Sequence, residues 1–179
     1  MLALNSKLKN IINILGFYVI WWSCMLGAAN GLSYFGPLIM IILLIIHYYL
    51  FVNDIKEIYL VLIIGVVGTV MDSLMFLSGS FVYQGSYSSE ISIAPLWITA
   101  MWAGFAATVN HSMVFFKDRW LLMAIAGAVF GPAAYFTGES LGAIRFDLSP
   151  VLSGLIIGIV WAISMPMIFY INRYIGLDE

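Results

Sequence analysis

An aspartate within a long apolar run is the residue of this sequence that most strongly indicates chemistry. Asp72 lies in the run 58–78, and a carboxylate near the centre of a membrane helix costs about 2.5–3.5 kcal/mol on insertion scales. Such a group must face other helices and find hydrogen-bond donors, or be protonated. Two interpretations stay open: a carboxylate that binds a proton or a substrate, and a structural acid that fixes helix packing.

The two histidines, His47 and His111, are the candidates for metal chemistry. Two histidines at one depth on two helices can ligate a metal or a haem iron. The sequence offers no third histidine and no HxxxH pair, and Asp72 is expected to lie too far away in depth to complete a three-ligand site. We therefore predict no metal and no cofactor. His111 is expected to form a hydrogen bond between helices together with Asn110, and His47 to lie near the membrane interface.

A glycine–proline pair, Gly131-Pro132, interrupts a second apolar run. Proline within a helix removes one backbone hydrogen bond and usually bends the helix. Tyr135 and Glu139 follow four residues apart, which places them on one helical face. This pattern is compatible with a bent half-helix that lines an externally open pocket, and also with a purely structural kink.

The composition shows which elements must position these residues. Of the 179 residues, 63% are hydrophobic and 9% are charged, whereas soluble domains have about 25% charged residues. The length is suited to a single compact bundle. Seven basic residues without a patch give no support for nucleic-acid binding. The chain is thus predicted to be one integral membrane domain, residues 1–179, whose partners are membrane lipids.

Each of six apolar runs has close to the ~20 residues that a helix needs to cross a bilayer. The predicted spans are 11–29, 35–52, 58–78, 95–116, 120–137 and 150–172. With six spans and both termini in the cytoplasm, six of the seven basic residues fall inside and only Arg145 falls outside, in agreement with the positive-inside rule. The predicted fold is therefore an all-α bundle of six transmembrane helices, with small residues such as Gly127 and Gly131 allowing close helix packing.

These assignments place the polar residues in one candidate pocket with two levels. Its predicted members are Asp72, Trp102, Asn110, His111, Tyr135, Glu139 and Asn30. The outer level would be built around Asp72, and Asn110 and His111 would lie deeper, toward the cytoplasm. Asn30 is equally compatible with a helix cap.

Three functions are compatible with such a pocket. The leading hypothesis is a small-molecule or lipid-associated, transporter-like protein, in which Asp72 would titrate if transport were coupled to protons. The second is a membrane enzyme that acts on a lipid or quinone-like substrate, with His111 as general base or metal ligand. The third is a structural or assembly subunit without a site of its own.

The chain also resembles a bacterial inner-membrane protein family that is a domain of unknown function. The residues that carry this resemblance are Asp72-Ser73-Leu74, Pro95-Leu96-Trp97, Trp102, Phe105-Ala106, His111-Ser112, Arg119, Gly131-Pro132, Tyr135, Gly138 and Leu141-Gly142-Ala143. The resemblance implies an integral, multi-pass protein of a bacterial inner membrane. It implies no activity, substrate or cofactor.

Overall fold

A computed structural model describes residues 5–88 and 91–177 of the chain. Within these residues the fold has six α-helices, one short 3₁₀ helix and two three-residue strands. The helices are α1 (Ser6–Ala29), α2 (Phe35–Leu50), α3 (Lys56–Leu77), α4 (Leu96–Ala106), α5 (Trp120–Ser140) and α6 (Pro150–Tyr174). The strands are β1 (Phe81–Tyr83) and β2 (Ile144–Phe146), and the 3₁₀ helix is Val114–Phe116. The predicted all-α class agrees with this architecture apart from the small two-stranded ribbon, and the first and last residues of the chain lie outside the described part.

Four of these helices are long and apolar enough to cross a membrane: α1, α3, α5 and α6. The other two are shorter, with 16 residues in α2 and 11 in α4. At ~1.5 Å per residue, α4 is only about 17 Å long. The predicted fourth span, 95–116, is therefore longer than the helix that the structure has there, which ends at Ala106. Two side chains of the segment that follows bond to other helices, Asn110 to Asn172 and Ser112 to Asn13.

The core of the bundle lies around α4, whose side chains are mostly buried. α4 packs against α1, α2 and α3, while α5 and α6 pack closely against each other. Trp161 of α6 stacks on Trp102 of α4, with ring centroids 4.6 Å apart and planes inclined by 10°. This stacking joins the α5–α6 pair to the rest of the bundle.

The two ends of the bundle differ in their chemistry. At one end, which we call the basic end, Lys56 donates to the carbonyl of Gly176 at 3.2 Å, and Arg173 lies 3.7 Å from Asp118. Asn13 of α1 also contacts the segment after α4, so the start of α1 belongs to this end. At the opposite end, β1 and β2 pair antiparallel in the register Phe81–Phe146, Val82–Arg145 and Tyr83–Ile144. We call this the ribbon end.

Glycines permit the closest helix contact. A Cβ atom at Gly127 would lie 2.1 Å from the carbonyl oxygen of Trp161, and one at Gly131 would lie 2.3 Å from its ring. The spacing Gly127–Gly131 was predicted to serve packing inside the bundle. The structure confirms this, because both glycines face α6.

Candidate functional site

Asp72 is fully buried between three aromatic donors near the ribbon end. The hydroxyl groups of Tyr83 and Tyr135 both donate to its Oδ1 atom. The indole Nε1 of Trp102 donates to its Oδ2 atom at 2.6 Å. Hydrogen bonds to an ionised acceptor are stronger than those between neutral groups. The four side chains, which we call the Asp72 cluster, therefore link α3, α4, α5 and β1 through one carboxylate.

Local structure explains how each donor reaches Asp72. Gly68 lies one helical turn before Asp72 on α3, and a Cβ atom there would be 2.1 Å from the Trp102 ring. Glycine at this position thus leaves the space that the indole occupies. The ribbon positions Tyr83, because this residue lies in β1 and pairs with Ile144 of β2. Burial raises the pKa of Tyr83 well above its usual range, and the nearby Asp72 carboxylate raises it further. The hydroxyl therefore stays protonated and can donate.

Two cavities in the described residues, of about 520 Å³ and about 640 Å³, are large enough for a small molecule. The larger, which we call the aromatic cavity, lies between α1, α4, α5 and α6 and is partly open to the outside of the bundle. Its aromatic walls include Phe17, Trp21, Trp22, Phe105, Phe130 and Trp161. Trp102 and Tyr135 of the Asp72 cluster also line it, whereas Asp72 itself lies behind them.

Two members of the predicted pocket lie apart from Asp72. Asn30 is exposed and its side chain donates to the carbonyl of Leu26 at 2.8 Å, as expected for a group at a helix end. Glu139 is exposed in the last turn of α5. The predicted span 120–137 ended too early, because α5 continues to Ser140. Neither Asn30 nor Glu139 lines the aromatic cavity.

The predicted deeper level forms a second site at the basic end. His111 Nε2 lies 3.2 Å from Glu57 Oε2, and His47 Nε2 lies 3.6 Å from the same oxygen. One potential ligand atom from each of the three residues lies within 4.8 Å of the others. Asn110, which precedes His111, also bonds to another helix, since its amide donates to Asn172 Oδ1 of α6 at 2.9 Å. We call His47, Glu57 and His111 the histidine–glutamate cluster.

This cluster borders the 520 Å³ cavity, which we call the α2–α3 cavity. Its remaining walls are largely apolar and come from α2, α3 and α4; they include Met40, Leu44, Leu60 and Ala103. A cavity with apolar walls and a few convergent polar groups is the usual form of a small-molecule site.

One residue of each cluster, Tyr83 and Glu57, is not among the site residues predicted from the sequence. Tyr83 lies in a loop-like stretch, and its approach to Asp72 depends on pairing with a strand that is distant in sequence. Glu57 falls just before the predicted span 58–78, although it lies in the first turn of α3 and contacts the two histidines. The available signal was the position of Glu57 at the start of α3, close in sequence to His47 in the last turn of α2. Without Glu57 only two ligands were apparent, which led to the prediction that there is no metal site.

Together, the fold and the two polar clusters define a predominantly helical protein whose long apolar helices are compatible with insertion into a membrane. The chain belongs to the family described as "Protein of unknown function (DUF2878)", which matches residues 10–167. The predicted membership of a family of unknown function is thereby confirmed. Neither the curated proteins nor the solved structures contain a match.

Proposed function

We propose that this protein is a six-span membrane protein that binds a lipid-class molecule in the aromatic cavity. The observation that carries the proposal is the cavity itself, which has about 640 Å³ and predominantly apolar and aromatic walls. Its volume falls within the ~300–1,000 Å³ of typical small-molecule sites. Exposed residues of two long apolar helices line the cavity, Trp22 of α1 and Phe130 of α5, so a lipid of the surrounding bilayer is the proposed occupant.

The polar groups around the cavity fit an amphiphilic occupant. Thr108 and Ser112 line one part of its wall, and aromatic rings form most of the remainder. An acyl chain is accommodated by the rings, and the hydroxyl groups can bond to the polar part of a lipid. Aromatic side chains offer a large apolar surface with little conformational entropy to lose.

Asp72 serves this function by positioning the wall of the cavity. Its three hydrogen bonds orient the Trp102 indole and the Tyr135 phenol, both of which face the occupant. The proton-coupled transport that we considered from the sequence is less well supported by this geometry. Asp72 is fully buried and accepts hydrogen bonds from three donors. This geometry favours a structural role for the carboxylate over a role in proton transfer.

The proposed topology places both termini and the basic end in the cytoplasm of a bacterial inner membrane. Lys56, Arg173 and the turn that contains Asp118 lie at one end of the bundle, and Arg145 lies at the other. This separation supports the positive-inside orientation. In this topology α2 and α4 also cross the hydrocarbon layer, and the non-helical residues after α4 extend the fourth span.

Lipid retention tests the proposed binding function. The full chain is purified in detergent, washed until bulk lipid is removed, and analysed by native mass spectrometry for bound phospholipid. Ala134 lines the aromatic cavity, so Ala134→Trp should fill part of it. We expect the wild type to retain about one phospholipid per chain, and the variant to lose most of it.

The matched control is Val129→Trp, which adds the same side chain to the exposed face of α5. Val129 does not line the cavity, so this variant should retain lipid like the wild type. Melting curves of all three proteins separate lipid loss from unfolding. A wild type that retains no lipid, or equal retention in folded Ala134→Trp, would contradict the proposal.

A further inference from the structure

The histidine–glutamate cluster has the spacing of a metal centre. Zinc–nitrogen and zinc–oxygen bonds are about 2.0–2.2 Å long, so two ligands of a tetrahedral ion lie about 3.3–3.6 Å apart. The distances from Glu57 Oε2 to His111 Nε2 and His47 Nε2 are 3.2 and 3.6 Å. One ion can therefore contact all three atoms after only small side-chain shifts.

One ligand atom in this cluster is too far from its nearest partner for a hydrogen bond, since His47 Nε2 lies 3.6 Å from Glu57 Oε2. His47 Nε2 is buried and makes no hydrogen bond among the described residues, and the His47 side chain is only 9% exposed. A buried polar atom that makes no hydrogen bond is unfavourable. A metal ion held between His47 and Glu57 would remove this penalty, because Nε2 would become a ligand.

The surroundings hold both imidazole rings in place. His47 stacks on Phe51, with centroids 5.1 Å apart and planes inclined by 14°. Phe51 also makes an edge contact with His111 at 5.4 Å. These two ring contacts restrict the orientation of both imidazoles beside Glu57.

The three ligands come from three different elements. His47 belongs to the last turn of α2, Glu57 to the first turn of α3, and His111 to the turns after α4. The chain is no longer α-helical after Ala106, and in the turns that follow, His111 lies against Glu57.

We propose that His47, Glu57 and His111 form a binding site for a divalent transition-metal ion of the Zn²⁺ type. Two imidazoles and one carboxylate are the protein ligands of several catalytic zinc sites, in which the fourth position stays open. The open position here faces the α2–α3 cavity, whose volume is about 520 Å³ and whose walls are largely apolar. The site is therefore built to bring a Lewis-acidic ion to the polar group of an apolar ligand. This site is separate from the aromatic cavity and does not depend on the proposed lipid binding.

Metal titration of the full chain tests the proposal. The protein is purified in detergent with any polyhistidine tag removed, stripped with a chelator, and titrated with Zn²⁺ by calorimetry. Co²⁺ is added in parallel, because its visible absorption reports the coordination number. We expect about one ion per chain and a Co²⁺ spectrum of low coordination number.

Variants then identify the ligands. Glu57→Gln and His111→Gln should each weaken Zn²⁺ binding by more than the ~10–100-fold that is typical for removal of supporting groups around a metal. Asp54→Asn is the matched control, since it removes a neighbouring carboxylate while an oxygen remains to accept from the Lys56 backbone N–H. It should bind Zn²⁺ like the wild type.

X-ray absorption at the zinc edge of the wild type provides a measurement that does not depend on folded variants. Two imidazole ligands and one carboxylate at the ion would support the site. Absence of stoichiometric binding in the wild type would overturn the proposal and leave a metal-free Glu57–histidine ion pair. Unchanged affinity in folded Glu57→Gln and His111→Gln would overturn it as well.

Discussion

Trp102 Nε1 donates to Asp72 Oδ2 at 2.6 Å and so joins α4 to α3 inside the bundle. The same indole stacks on Trp161 and lines the aromatic cavity. A single ring therefore connects the buried carboxylate to the space where a ligand would lie. A substitution of Asp72 should therefore change the position of the Trp102 ring in the cavity wall, although Asp72 itself does not line the cavity.

Removing the Asp72 carboxylate should destabilise the protein to a degree that depends on the replacement. Asp72→Leu leaves the Trp102, Tyr83 and Tyr135 donors without their acceptor, at about 1–3 kcal/mol for each unsatisfied group. Asp72→Asn keeps one carbonyl oxygen for Trp102 and loses the charge-assisted bonds. We expect melting temperatures in detergent to decrease in the order wild type, Asp72→Asn, Asp72→Leu.

The surface substitution Asp147→Asn serves as control for the loss of one negative charge, because Asp147 is 40% exposed in its ion pair with Arg145. Its melting temperature should stay near that of the wild type. If Asp72→Leu were as stable as the wild type, the three hydrogen bonds would not contribute to the fold as described.

Gly68 is predicted to control the position of the Trp102 indole. A methyl group at this position would lie 2.1 Å from the ring, so Gly68→Ala must displace the indole and lengthen or break its bond to Asp72. We expect lower stability and an altered tryptophan fluorescence spectrum. Gly16→Ala is the control, because a Cβ atom there has no neighbour within 4 Å. In that variant the lower backbone entropy of alanine should be neutral or stabilising by about 0.5–1 kcal/mol.

The contrast between Asp72 and Tyr83 shows what could be predicted of the candidate site. An acid in an apolar run can be recognised from its unfavourable transfer free energy alone, and Trp102 and Tyr135 were predicted as members of the same pocket. Tyr83 could not be found in this way, because a three-residue ribbon between distant segments brings it to Asp72. Pairing of such short strands leaves almost no local pattern in a sequence.

The fold was predictable where apolar runs are continuous and less so where polar side chains compete with the helix. The predicted boundaries of α3 and α6 lie within two residues of the observed ones. The fourth span differs, because Asn110 and Ser112 bond to Asn172 and Asn13 on other helices. Hydrophobicity alone cannot reveal such bonds, since they depend on which helices become neighbours.

The six-span topology makes a prediction that can be tested with isosteric cysteine substitutions. Cys24 is buried, and in a Cys24→Ala background new cysteines report their own accessibility. Ser140 is exposed at the ribbon end of α5, and Ser6 is exposed at the start of α1. In intact cells that express the protein, a membrane-impermeant maleimide should label Ser140→Cys. It should label Ser6→Cys only after the membrane is permeabilised, because that residue lies on the cytoplasmic side.

Asn53→Cys extends the same test to the turn between α2 and α3, where Asn53 is exposed. This turn lies at the basic end, so labelling should again require permeabilisation. The comparison decides whether the 16-residue α2 crosses the membrane. If Asn53→Cys reacted in intact cells while Ser6→Cys did not, α1 would cross and α2 would not return, which would contradict the six-span topology. If both reacted in intact cells and Ser140→Cys did not, the bundle would have the opposite orientation and the positive-inside argument would fail.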